Sequence, residues 1–229
     1  MTETDSATPS AAPDIGIPES LQLTPNEARI LACLVEKEAT TPDQYPLTEN
    51  ALVLACNQKT SREPVMNLSV GEVGYSLRQL EDRQLVRSQH ASRAQRWQHR
   101  FAGAYEVTTQ QQAALCILML RGPQTLNEIL TRTERIARFN DAEDLQHTLQ
   151  RLSQRTPALL MQLPRAPGQR EERWAHLLCG PIDMQAIAAA TGSPEPSSRS
   201  AQLAALEARI EALEQRLATL ESASGSSTS

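Results

Sequence analysis

One order of elements runs through this chain twice, and that repeat limits its possible folds more than any other feature. Leu23-Thr24 through Leu31 and Leu34 matches Val107-Thr108 through Leu115 and Leu118, 84 residues further on. Each of these apolar helices is followed by a short helix, a polar loop, a third helix with an apolar stripe, and two strand-like segments around a turn. A repeated unit of three helices and a hairpin predicts two modules of one kind rather than one larger domain.

In the first copy, Thr24 caps a helix running from Leu23 to Glu38, with Pro25 at its first position and Glu27 closing a capping box. Ala28, Leu31, Leu34 and Val35 form its buried stripe. Two prolines in TTPDQYP break the chain, and Thr48 caps the second helix. Ser69 and Glu72 make a capping box for the third, with Leu68 and Val73 as a hydrophobic staple. Val73, Leu77 and Leu80 fall at i, i+4, i+7, one apolar face. The opposite face carries Gly71, Tyr75, Arg78, Gln79 and Asp82. Arg and Gln suit base-edge reading in a major groove; Asp82 and Glu72 oppose phosphate, and an ordinary solvated helix face is the alternative.

The loop Asn57–Leu68 is far longer than the turn of a simple helix-turn-helix. Lys59 and Arg62, with several amides, could grip a phosphate or a partner's backbone. Equally, the loop could bond to itself and pack Val65 and Met66 into the core. The following segment, LVRSQHASRAQRWQHRF, holds Arg87, Arg93, Arg96 and Arg100 and no acid. It predicts a hairpin, the wing of a winged helix, whose acid-free arginines suit DNA backbone or minor groove; a solvated hairpin with Trp97 packed inward is the alternative. His90 and His99 lack a third ligand and are expected as polar surface, not a metal site.

In the second copy Thr125 caps a short helix and Asp141 caps the third, whose stripe is Leu145, Leu149 and Leu152. Its outer face carries Glu143, His147, Gln150, Arg151 and Gln154, the more DNA-like set of the two. The second hairpin, PALLMQL and RWAHLLC around PRAPGQREE, mixes Arg165, Arg170 and Arg173 with Glu171 and Glu172. It suits an intramolecular salt-bridge network.

Composition narrows the function classes. The net charge of −5 is uneven: residues 23–180 hold 19 Lys+Arg against 17 Asp+Glu, so any basic surface must be local. No apolar run approaches a membrane span and no signal peptide is present, which predicts a cytoplasmic protein without a membrane partner. Cys33, Cys56, Cys116 and Cys179 have no metal-ligand spacing and read as reduced filler thiols. No phosphate loop, nucleophile–base pattern or metal set supports an enzyme, and no cofactor or metal is expected.

Residues 1–22 read as a disordered tail and 181–200 as a linker. At 201–221, Leu203, Leu206, Ile210, Leu213, Leu217 and Leu220 alternate spacings of three and four, a coiled-coil seam. Arg209–Glu214 and Arg216–Glu221 would face attractively in a parallel pair, which predicts a parallel homodimer; a helix folded back on its own chain also fits the stripe. Residues 222–229 are a second tail. The expected fold is mostly α with small β-hairpins: tandem winged-helix domains at 23–106 and 107–180, followed by the coiled-coil helix.

TPDQYPLT, ACNQKTSREPVMNLS, LRGPQT and PRAPGQREERWAHLLCG together resemble the YceH family of bacterial proteins, over about residues 21–180. That resemblance implies a tandem winged-helix fold and no biochemical activity, so no catalytic residues carry over. Leu126 departs from it, where Pro would be expected after Gln124-Thr125. Two functions follow from the residues: a regulatory protein binding double-stranded DNA as a dimer, or an adaptor that binds another protein through the same faces.

Overall fold

A computed structural model of the chain describes residues 16–90, 94–165 and 171–182. Arg93, the expected helix at 201–221 with its leucine seam, nearly all of the expected linker and the 222–229 tail lie outside the described residues.

The protein is mixed α and β, with helices predominating over two small antiparallel sheets. Helix α1 (Pro25–Thr40) starts on Thr24, whose backbone N–H donates to the Glu27 carboxylate at 2.8 Å while its hydroxyl accepts from Glu27 N. A short strand β1 (Leu47–Thr48) leads into α2 (Glu49–Cys56), capped by Thr48. Helix α3 (Val70–Asp82) begins on the Ser69/Glu72 box and buries Val73, Leu77 and Leu80 completely. Strands β2 (Val86–His90) and β3 (Gln95–His99) form the hairpin, and α4 (Phe101–Tyr105) connects the two runs. The second run is α5 (Thr109–Arg121), α6 (Leu126–Thr133), α7 (Ala142–Ser153), β4 (Leu160–Leu163) and β5 (Arg173–His176). Thr125 still caps α6 through a full box with Glu128, so Leu126 leaves that entry intact.

The repeat extends to strand pairing. In the first run β1 lies against β3, with Leu47 opposite Trp97, giving the order β1-β3-β2. In the second, Gln124 bridges Trp174 at the corresponding place beside the β4–β5 hairpin. Each tryptophan is buried where a chain segment before the short helix crosses the hairpin.

Helix α1 is buried on every side from Glu27 to Val35, and α5 from Gln112 to Leu120. A surface helix would keep one face in water. These two do not, because each covers its own run on one side and packs against the other on the opposite side; the Cys116 thiol reaches the Ala32 carbonyl at 3.3 Å. The buried residues of both runs form one core, and the described chain to Ile182 belongs to one compact unit. The expected boundary at 106/107 thus separates two runs of elements that share a core.

The expected N-terminal tail also needs correction at its end. Residues 16–22 are held in place: the Tyr105 hydroxyl donates to Leu21 O at 2.6 Å, Leu23 N donates to Leu178 O at 2.7 Å, and Ile17 and Leu21 pack on the core. Two apolar side chains and these bonds outweigh the polar composition around them.

Candidate nucleic-acid interface

The loop between α2 and α3 is bound to its own chain. Asn57 closes it, its amide donating to Leu68 O at 2.8 Å and accepting from Leu68 N at 2.7 Å. Arg62, one of the two loop cations offered for a phosphate or a partner's backbone, points inward instead, in line with the self-bonded alternative. Its side chain is wholly buried, with a bidentate pair to Glu36 at 3.1 and 2.5 Å and a bond to Ala55 O at 3.1 Å. Arg29, which the sequence reading passed over, donates to Cys56 O at 3.1 Å and Pro64 O at 2.7 Å. Burial disfavours the charged form of Arg62, and the Glu36 carboxylate more than restores it, so its pKa stands above the ordinary value. Within this loop Lys59 is exposed.

The three-stranded sheet sorts its residues by the twofold period of a strand. Val86, Ser88, Trp97 and His99 lie on the inner face. Arg87, Gln89, Arg96 and Gln98 lie on the outer one, paired Arg87 with Gln98 and Gln89 with Arg96. Gln89 donates across to Gln98 at 2.7 Å. Arg96 is only half free: its guanidinium donates to Pro46 O at 2.7 Å and Gln44 O at 3.5 Å, fastening the segment before β1 to the sheet. Arg87 and Arg100 are exposed, and neither guanidinium makes an ion pair among the described residues. Trp97 packs inward. Gln89 and Gln98 stand beside the arginines on this face without having been singled out from the sequence; the strand alternation relative to Trp97 is the signal that finds them.

The two histidines do not meet. His90 pairs with Gln95 near the tip, while His99 sits at the other end opposite Val86. Nor is His99 polar surface: its Nε2 contacts Glu38 at 2.8 Å and its side chain is almost buried. Desolvation lowers its pKa, against the pull of Glu38.

On α3, Tyr75 is 60% exposed and Arg78 is exposed, while Gln79 is half-buried. On α7, His147, Gln150 and Arg151 are exposed, as is the capping residue Gln154 just past its end, above the fully buried Leu145, Leu149 and Leu152. Among the described residues no hydrogen bond or ion pair joins the α3 set to the α7 set. The second hairpin uses its charges internally: Arg165 pairs with Glu172 at 3.8 Å, Gln162 donates to Glu172, and Arg173 reaches Glu128 at 3.1 Å. Arg173 and Arg132 on that carboxylate, with the Thr125 N–H, hold the Glu128 pKa below the usual range against its desolvation. Among the described residues no group of His, Cys, Asp and Glu could hold a metal ion, and no helix is long and apolar enough to cross a membrane.

These features define a helix-rich protein of mixed α and β structure with two similar runs of elements and, among the described residues, exposed cations and amides on its outer faces. The chain belongs to the family described as "Protein of unknown function, DUF480", which matches residues 23–169, from the start of the first run into the second hairpin. It is 56% identical over 184 residues to a UPF0502 protein of Xanthomonas campestris pv. campestris (strain B100), covering 80% of this chain and 82% of that one. It is 53% identical over 189 residues to a UPF0502 protein of Stenotrophomonas maltophilia (strain R551-3), covering 82% and 84%.

Proposed function

We propose that the chain is a regulatory, non-enzymatic protein of tandem winged-helix type that binds double-stranded DNA as a parallel homodimer through residues 201–221. The YceH resemblance is compatible with this reading and with the family membership. One observation carries it: the outer face of the β1-β3-β2 sheet presents Arg87, Gln89, Arg96 and Gln98 with no carboxylate among them. Arginine and amide side chains without a competing acid suit phosphate and groove-edge contacts. The exposed Gln150 and Arg151 of α7 and Gln154 at its C-terminal end supply the base-reading chemistry. Fluorescence anisotropy on short mixed-sequence duplexes tests the proposal. Affinity falls steeply with salt, and the pair Arg87→Ala with Arg100→Ala lowers the slope of log K against log salt by about 2. Binding absent even at low salt, or a slope unchanged by the pair, overturns it.

A second reading, an adaptor for another protein, is favoured by a different observation. Around the braced loop, Leu54, Val65 and Val70 are large apolar side chains exposed by half or more, as is Tyr75 on α3. A rigid loop with apolar side chains beside it suits a protein contact. A stoichiometric partner lost on Leu54→Ser and Val65→Ser, together with no salt-dependent DNA affinity, would select this reading.

A further inference from the structure

We propose that the groove between the end of α6 and the start of α7 binds a small organic acid: a carboxylate carried on an apolar, ring-sized body. The groove is open to solvent, offers about 510 Å³ and is lined by Leu130, Glu134, Arg135, Arg138, Phe139, Asn140 and Asp141. That volume falls within the range of sites that take metabolite-sized ligands.

Its chemistry is divided. Leu130 and Phe139 are half-buried against the core, which gives an apolar floor. Arg135 and Arg138 are exposed, and neither guanidinium has an ion-pair partner among the described residues. Of the two lining carboxylates, Asp141 is occupied in capping α7, accepting from Asp144 N at 2.8 Å. Glu134 is exposed and makes no ion pair with either arginine among the described residues, so both guanidinium forks are open to the bidentate geometry of a ligand carboxylate. The apolar body adds burial.

The walls are braced before any ligand arrives. Ile136 N and Ala137 N donate to Thr133 O at 2.8 and 2.9 Å, and Asn140 donates to Asp144 through its backbone and its amide at 3.1 and 2.9 Å. Gln110 on α5 holds Arg138 O at 3.1 Å. A preformed site costs a ligand less ordering. The groove lies at the joint between α6 and α7, the helix that carries His147, Gln150 and Arg151. This inference stands independently of the nucleic-acid reading.

Phenylacetate is the probe, titrated into the full-length protein and followed by amide chemical shifts and calorimetry, with acetate and inorganic phosphate as controls. The expected result is saturable binding with shifts centred on residues 130–141. Acetate binds about tenfold more weakly, and Arg135→Ala with Arg138→Ala weakens phenylacetate about tenfold or more while leaving the thermal melt unchanged. Three outcomes overturn the proposal: no saturable shifts at these residues, acetate or phosphate binding as tightly as phenylacetate, or full binding retained in the double variant. Tight phosphate binding alone would reassign the two arginines to a phosphate backbone.

Discussion

Arg62 shows how far a residue's surroundings decide its work. In the sequence it sits in a polar loop beside Lys59 and looks available. In the folded chain it is the buried partner of Glu36, held 26 residues away by α1. Removing one member of a buried pair leaves the other charge uncompensated, at a cost of roughly 3–5 kcal/mol. Glu36 keeps some exposure, which places Arg62→Ala at the lower end of that range. Urea denaturation reads this as a lower midpoint, and an unchanged midpoint would refute it. His176 gives a pH-dependent case. Desolvation of the ring, with no partner for Nδ1 among the described residues, depresses its pKa to about 4, against an ordinary value of 6.5. The unfolded chain therefore takes up the proton more readily than the folded one between those values. The stability this histidine contributes is complete above about pH 6.5, falls as the pH drops toward 4, and amounts to roughly 3 kcal/mol at most. His99, also depressed, acts with the same sign. Glu128 is held low and loses its share only in the more acidic window below the usual carboxylate pKa. Thermal melts of the protein and of His176→Gln at pH 7 and about pH 5 are expected to show a smaller acid loss in the variant.

At the scale of elements, helix starts were readable from local chemistry. Thr24, Ser69, Thr108 and Thr125 each complete a capping box, and Thr48 and Asp141 cap their helices singly. Those interactions span three residues, so a sequence window contains all of them. The strand β1 and the Gln124 bridge were not readable, because two residues or one carry no periodicity and their partners lie about 50 residues away. The candidate site divides in the same way. The acid-free run of arginines was visible, but which of them face water depended on strand register. That register puts Arg87 outside and unpaired while Arg96 is partly occupied with carbonyls. Arg96→Ala is accordingly expected to lower the melting temperature, whereas Arg87→Ala leaves it nearly unchanged; differential scanning calorimetry of the two variants separates these roles.

For the molecule, the shared α1–α5 packing makes a prediction about cooperativity. Trp97 lies in the first run and Trp174 in the second, both buried, and they are the chain's two tryptophans. If one core serves both runs, single-tryptophan variants Trp97→Phe and Trp174→Phe report coincident urea transitions by fluorescence, after allowance for each variant's own stability. Two separated midpoints in each variant by circular dichroism would show two independent cores instead. For the proposed dimer, Leu206→Lys with Leu213→Lys places charges on the seam, and sedimentation equilibrium should then give a monomer.

What the amino-acid order determined by itself was everything that interactions over a few residues control: where helices begin, which faces are apolar, and that one plan occurs twice. The tertiary structure alone decided that the two copies share a core, that Arg62 serves the loop's interior, and which arginines remain free. The physical reason is range. Capping and amphipathic burial are written within a turn or two of chain, whereas the partner of a buried guanidinium, or the second face of a helix such as α1, is supplied by residues far along the sequence.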